Sequence, residues 1–359
     1  MSDTFTYAII GCGMMGREHM RNLALVPGAK LVAIADPDAG SREEAKAQAK
    51  ALGQVIAAYD DAEAMLAEAQ PDAVIIASPN HTHIDAVRPA MEAGCAILLE
   101  KPMCTTVADA KALREAAHAY PKLFWVGLEY RYMPPVTRFI ERVHAGEAGD
   151  IRMLSIREHR FPFLEKVGDW NRFNRNTGGT LVEKCCHFFD LMRHILRDEP
   201  ARVFASGAQD VNHLDERYDG EVPDIIDNAF VLVDFAGGAR AVLDLCMFAE
   251  GSQEQEEISA VGPVGKLEVK LPGGNVTWSP RDKSGPVIQH IDVPQDAFDA
   301  GSHHGATFYQ LSDFHAALEG GTKPLIDAED GYRSVVIGAA AQESMATGLP
   351  VSINFEGKN

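Results

Sequence analysis

Basic charge is what this chain has least of. Its 33 lysines and arginines face 52 aspartates and glutamates, a formal net charge of -19 over 359 residues. Nucleic acid and anionic membrane surfaces would be repelled, so neither is expected as a partner. An anionic small molecule stays open, because a local group of arginines can outweigh the global field. No apolar run approaches the roughly twenty residues of a membrane span. The N-terminus runs into a strand-like segment instead of a signal peptide, so a cytoplasmic location is expected. Six cysteines without C-x-x-C spacing exclude a disulfide framework. Repeats, low-complexity tracts and long linkers are missing too, and residues 210–223 are the most loop-like stretch. At this length two domains are the default.

What is present begins with an apolar run of strand length, residues 5–10, which enters Gly11-Cys12-Gly13-Met14-Met15-Gly16. This is G-x-G-x-x-G in its required order of strand, glycines and helix. Gly11 permits the tight turn, Gly13 lets the backbone approach a pyrophosphate, and Gly16 lets the helix pack on the strand. The helix N-terminus offers its free amides to phosphates. A second apolar run, residues 30–35, ends at Asp36, where a carboxylate binds the adenosine ribose 2'-hydroxyl and repels a 2'-phosphate. NAD is therefore the expected cofactor and NADP the less favoured one, with Arg42 the nearby residue that leaves NADP open.

Alternation continues with helices near 41–52 and 60–69, another ending at 93 and one at 107–120, and with strands at 55–57, 73–77, 96–99 and 123–126. It predicts a doubly wound parallel sheet of Rossmann type over residues 1–126. Ligands of such sheets bind at the carboxyl ends of the strands, where Ser78, Asn80, Glu100 and Lys101 fall. The candidate cofactor-binding set is Gly11, Gly13, Met14, Met15, Gly16, Asp36, Ser78, Asn80, His83, Glu100, Lys101 and Glu129. The pair His81 and His83 is expected to satisfy loop carbonyls or line the cofactor cleft, not to bind metal.

After Gly127 the pattern changes. A helix near 135–145 precedes alternating runs at 151–159, 202–208, 228–235, 240–248, 256–261 and 266–271, with a hairpin signal in Asp234-Phe235-Ala236-Gly237-Gly238-Ala239. Residues 127–359 are expected to form an α+β domain, a large, mainly antiparallel sheet with helices from Thr180, Ala306 and Glu329 on one face. The uncovered face calls for a homo-oligomer interface, a dimer or a tetramer.

The chemistry concentrates in Gly178 to His187. If this run opens a helix, Glu183 and His187 share a face. His187 could then move a proton and Lys101 could polarise the reacting oxygen, so Lys101, His187 and Glu183 are the catalytic candidates. Thr180-Leu181-Val182-Glu183 also fits a capping box, in which Thr180 caps the helix and Glu183 reaches back to the cap amide. Glu183, His187, Asp190 and His194 make one polar stripe. The vicinal Cys185 and Cys186 point about 100° apart on a helix, so no metal is expected there. Upstream lie Arg157, His159, Arg160, Trp170, Asn171, Arg172, Arg175 and Asn176. Tryptophan stacking suits a polyol ring, and the arginines suit a carboxylate, phosphate or sulfonate if they are not tied up in salt bridges. Arg160, Trp170, Arg172, Arg175 and His187 are the substrate-binding candidates.

The chain resembles the family of glucose-fructose oxidoreductase, inositol dehydrogenase and MocA proteins over nearly its whole length. The resemblance rests on residues 11–19, Ser78-Pro79-Asn80-His81-Thr82-His83, Ala93-Gly94 and Glu100-Lys101-Pro102. It extends through Gly178-Gly179, Glu183, His187 and Asp190, and through Glu329-Asp330-Gly331 to Gly348-Leu349-Pro350-Val351. It implies a Rossmann domain followed by an open-faced sheet domain, a nicotinamide cofactor, and oxidoreduction of a sugar or cyclitol hydroxyl. It also implies Lys101 as catalytic lysine and His187 as proton-transfer histidine, with Glu183 where the family usually has aspartate. Two alternatives remain: a non-catalytic NAD-binding sugar sensor, and an enzyme using NAD transiently for epimerisation or elimination. A Lys101–His187 pair argues against the sensor.

Overall fold

The computed structural model describes residues 4–282, 284–301 and 303–355. The chain opens with β1 (Phe5–Ile10), α1 (Met14–Leu23), β2 (Ala29–Ala35), α2 (Ala39–Ala51), β3 (Ala57–Tyr59), α3 (Ala62–Ala69) and β4 (Ala73–Ile76). It continues with α4 (His83–Glu92), β5 (Ala96–Leu99), α5 (Val107–Ala119) and β6 (Phe124–Val126). These strands form one six-stranded sheet, all pairs parallel, in the order β3-β2-β1-β4-β5-β6. The order reverses between β1 and β4, the switch point at which such sheets bind dinucleotides. β4 and β5 read AVII and AILL and are buried throughout, as a strand covered on both faces must be. Asp38, Asp61 and Thr106 cap α2, α3 and α5 through their side chains. β3 pairs two residues later than the 55–57 run suggested, and Val55 is exposed.

Next come α6 (Pro134–His144), β7 (Met153–His159), α7 (Asn174–Thr177), α8 (Thr180–Glu183), α9 (Cys186–Leu196), β8 (Pro200–Ala208) and β9 (Asn228–Phe235). β10 (Arg240–Cys246), β11 (Glu256–Val261), β12 (Gly265–Leu271), β13 (Asn275–Pro280) and β14 (Val287–His290) follow, then α10 (Gln295–Ala300), α11 (Ala306–Gly320), α12 (Ala328–Thr347) and β15 (Val351–Ser352). The second sheet has nine strands in the order β14-β13-β12-β11-β7-β10-β9-β8-β15. It is antiparallel except for the β7–β10 pair. Burial alternates along β7, β10, β11 and β12, the signature of a sheet packed on one face.

The chain divides into two compact units. The first runs to Tyr132 and takes in Lys166–Trp170 and Pro294–Tyr332; the second comprises Met133–Glu165, Asn171–Val293 and the chain from Arg333. The helix from Ala306, expected over the second sheet, belongs to the first unit. There Phe314 and His315 of α11 pack on Tyr7, whose hydroxyl lies 2.8 Å from His315 Nδ1. Among the described residues no helix is long and apolar enough to cross a membrane.

Candidate active site

In the first unit the glycine loop is fixed by close approach. Gly11 lies at φ +91°, and a Cβ on it would stand 2.5 Å from the Ala77 backbone; a Cβ on Gly16 would stand 1.9 Å from the Gly11 carbonyl oxygen. A Cβ on Gly13, by contrast, would meet nothing within 4 Å. α1 starts at this open glycine with no side-chain cap and no acidic residue in its first turn. Its free amides are thus available to an anion. Asp36 accepts the Cys12 N–H at 2.6 Å and the Asp38 N–H at 2.8 Å, one on each carboxylate oxygen. Each oxygen keeps a second lone pair for a hydroxyl. Arg42 donates to the carbonyls of Asp36 and Pro37 at 2.6 and 2.9 Å, so its guanidinium is already engaged. Asn80 is buried and its side-chain amide nitrogen has no hydrogen-bond partner. An open glycine, an uncapped helix start, a carboxylate at the end of β2 and a spare amide donor fit the adenosine diphosphate and ribose of NAD.

The other candidates at this edge are tied into the protein. His83 is buried, with Nδ1 2.8 Å from the Pro102 carbonyl oxygen and Nε2 3.1 Å from that of Ser78. Glu100 is buried, with Oε1 2.6 Å from His19 Nε2, and Oε2 accepts the Lys101 N–H at 3.1 Å. Burial works to lower the His19 pKa, yet the hydrogen bond and charge of Glu100 raise it above the ordinary value. Burial likewise works to raise Glu100, and His19 overrides it and holds the carboxyl below its usual range. Lys101 is half-buried, and its peptide bond to Pro102 is cis.

Glu129 sits in a buried cluster that its sequence position did not suggest. Its Oε1 lies 2.8 Å from His303 Nδ1 and its Oε2 accepts from the Thr307 hydroxyl at 2.6 Å. The same hydroxyl lies 2.9 Å from Glu18 Oε1. His303 is pushed up to about 9: burial opposes this, and the two glutamates outweigh it. Glu18, Glu129 and His303 bring ligand-type atoms within 4.8 Å of one another. Trp170 meets the exposed His81 edge to face, at 6.1 Å between ring centroids.

In the second unit Gly178 and Gly179 both have positive φ, 78° and 86°. A Cβ on Gly179 would stand 1.7 Å from Gln342 Oε1 of α12, so this turn admits only glycine. Gly179 is the N-cap of α8, which has no side-chain cap bond. The capping box therefore does not form: Thr180 lies inside the helix and its hydroxyl donates to the Ile226 carbonyl at 2.7 Å. The run is not one continuous helix either. α8 ends at Glu183 and α9 begins at Cys186, with the Cys185 amide bonded back to the Thr180 carbonyl. Glu183, Lys184, His187 and Asp190 are all buried, His187 to 1% exposure. The polar stripe thus faces the interior, while His194 lies two turns on, its carbonyl 3.0 Å from His144 Nε2. The thiol of Cys186 contacts the Glu183 carbonyl at 3.4 Å.

A buried ion pair went unread in the sequence. Lys184 Nζ lies 2.9 Å from Oε1 of the fully buried Glu158, which Arg160 also contacts at 3.2 Å. Each of the other three arginines is likewise engaged by a carboxylate: Arg157 by Glu257, Arg172 by Glu216 at 2.9 Å, and Arg175 by Glu221. Arg172 is buried, and Arg175 stacks on Phe173.

Two family profiles match the chain: "Oxidoreductase family, NAD-binding Rossmann fold" over residues 5–128 and "Oxidoreductase family, C-terminal alpha/beta domain" over residues 140–353. The chain is 28% identical to scyllo-inositol 2-dehydrogenase (NAD(+)) of Bacillus subtilis, over 97% of this chain and 96% of that protein. It is 26% identical to myo-inositol 2-dehydrogenase of Thermotoga maritima, over 94% and 95% of the two chains. Among solved structures, levoglucosan dehydrogenase in complex with NADH and levoglucosan shares the fold, with a TM-score of 0.85 at 21% identity over 98% of this chain and 99% of that one.

Proposed function

The chain belongs to the Gfo/Idh/MocA oxidoreductase family, and on that premise we propose that it oxidises a secondary hydroxyl of an uncharged polyol, a cyclitol or sugar ring. It is an NAD-dependent enzyme acting on CH–OH groups. One observation supports the choice of substrate: Arg157, Arg172 and Arg175 each face a carboxylate of the same unit, and Arg160 shares Glu158 with Lys184. An anionic sugar needs a cation whose charge is not spent. An uncharged polyol asks only for hydrogen-bonding groups and an aromatic surface, and it is what the names of the inositol dehydrogenase relatives describe.

NAD, when bound, supplies the hydride acceptor. The hydroxyl proton must leave as the hydride does, and imidazole is the side chain suited to taking it at neutral pH. His187 is assigned that step. Lys101 supports the developing alkoxide by charge and hydrogen bonding. Glu183, immediately before the turn that leads to His187, supplies negative charge for the imidazolium that forms.

NADH production across a panel of inositols, aldoses and sugar acids tests the reading. Turnover is expected with an uncharged ring, and Lys101→Ala and His187→Ala should each lower kcat by about 10²–10⁴. Selective turnover of sugar acids would overturn the substrate class. Product without net NADH would mean that the cofactor is used transiently.

A further inference from the structure

The polar groups that surround Lys101 in the first unit include two imidazoles that no step of the reaction uses. We propose that His19 and His83 are positioning residues for Lys101, holding the Glu100-Lys101-Pro102 turn through its two flanking residues. The proposal rests on the assignment of Lys101 made above.

The sheet hands this turn over to side chains. The last ladder contacts are Glu100 N–H to the Ile76 carbonyl at 2.9 Å and Gly127 N–H to the Leu99 carbonyl at 2.7 Å. Beyond them the Lys101 N–H goes to the Glu100 carboxylate, and Pro102 has no N–H to give. What fixes Glu100 is His19 on α1, 2.6 Å from its Oε1. Gly127 closes the other side: a Cβ there would sit 3.3 Å from both the Glu100 Cα and its Oε1. Glu100, Glu129 and Glu18 act on His19, and all three favour its charged form. His19 therefore shares with Lys101 the answer to the buried Glu100 charge.

The second hold is His83, the first residue of α4. Its ring spans the loops after β4 and β5, between the carbonyls of Ser78 and Pro102. Burial is its largest influence and keeps it below the ordinary histidine range, with Glu100 and Lys101 the charged groups acting on it. The one proton of the neutral ring goes to the shorter contact, Pro102. Through that one N–H bond His83 acts on the lysine turn, while its other nitrogen only lies near the Ser78 carbonyl. A general acid or electrostatic group displaced by about 1 Å loses much of its effect, and these contacts hold the backbone that carries Lys101.

The test uses the full-length chain. His19→Ala and His83→Ala are compared with His19→Gln, His83→Gln and Lys101→Ala by steady-state kinetics, NAD titration, thermal unfolding and amide exchange. The alanine variants should lower kcat by about ten- to a hundredfold, with NAD affinity within threefold and faster exchange in the peptide spanning residues 99–104. His83→Gln, which keeps one donor, should recover part of the loss. His19→Gln leaves Lys101 to answer the Glu100 charge alone and should move the alkaline limb of the kcat profile. In the Lys101→Ala background the histidine substitutions should cost less than twofold. Losses that add in full to that of Lys101→Ala, or NAD affinity that falls while kcat is kept, would overturn the proposal. Full turnover by Lys101→Ala would instead remove the assignment on which it rests.

Discussion

Glu183 shows how one methylene and one turn of backbone decide what a carboxylate can do. With Gly179 as the cap and Thr180 drawn to Ile226, the glutamate has no threonine cap to answer and lies buried three residues before the start of α9. If it supports the His187 imidazolium, Glu183→Gln should lower kcat about ten- to a hundredfold, while Glu183→Asp, which keeps the charge, should recover part of it. Equal kcat for wild type and Glu183→Gln would leave it a packing residue. Arg172 is the opposite case. It converges with Tyr218 and His213 on Glu216, at 2.9, 2.7 and 2.7 Å. Although burial opposes it, these partners pull the Glu216 carboxyl down to about 2. Arg172→Ala should destabilise the fold by about 1–3 kcal/mol, read by denaturant unfolding, and leave the polyol KM within twofold. A tenfold rise in KM at unchanged stability would make it a substrate ligand. The folded Glu216 pKa is depressed, so its contribution is present above the unfolded pKa, in the mid-4 range, and fades as pH falls towards 2.

At the scale of elements, the lead into α11 carries two histidines shifted in opposite directions. His303 faces Glu18 on α1, Glu129 in the turn after β6, the Tyr130 ring and its neighbour His304. Its folded pKa is raised to about 9. The stability it provides is complete below the unfolded histidine value of about 6.5 and is lost as pH rises through 9. His304 behaves inversely: burial and the His303 charge push it down to about 4, so its contribution is lost as pH falls from about 6.5 towards 4. Thermal unfolding of wild type should therefore show a decline between pH 7 and 9.5 that His303→Gln loses; an unchanged slope would contradict the assignment. None of this cluster was legible in the chain, because Glu18, Glu129 and His303 are brought together only by the docking of α11. That helix would satisfy the burial needs of either sheet, and the sequence pattern alone favoured the wrong one. The glycine loop was legible because strand, turn and helix are contiguous and each glycine answers a local demand. The second-unit strands were readable for the same reason, their period-2 burial being local. The arginines were not, since Glu216, Glu221 and Glu257 stand far along the chain from the residues they neutralise. The capping-box pattern misled because the cap falls one residue earlier, on Gly179, at a positive-φ turn packed against Gln342 of α12 where no side chain fits.

For the whole molecule, the residues that face away from the helices on β8, β9 and β10 raise the question of what covers them. Register sets Phe204 beside Leu232 and Leu232 beside Val242, with Phe230 between Ser206 and Asp244. Phe204, Phe230 and Leu232 are 41%, 64% and 44% exposed. Their side chains form a contiguous apolar strip, and such strips mark interaction surfaces. A second copy of the chain is the proposed cover, since a two-fold contact lets one strip meet itself. The charge balance bears on how strongly it would form. Each copy brings a formal charge of -19, so association must outweigh long-range repulsion that salt screens over a Debye length of about 10 Å at 0.1 M. Light scattering after size exclusion should thus find an oligomer whose dissociation constant falls as salt is raised from about 0.02 to 0.3 M. Phe230→Glu with Leu232→Lys should yield a folded monomer with an unchanged unfolding transition in the first unit. A monomeric wild type at all salt concentrations would leave the strip without this role, and an oligomer that weakens with salt would mean that ion pairs, not the apolar strip, hold it together.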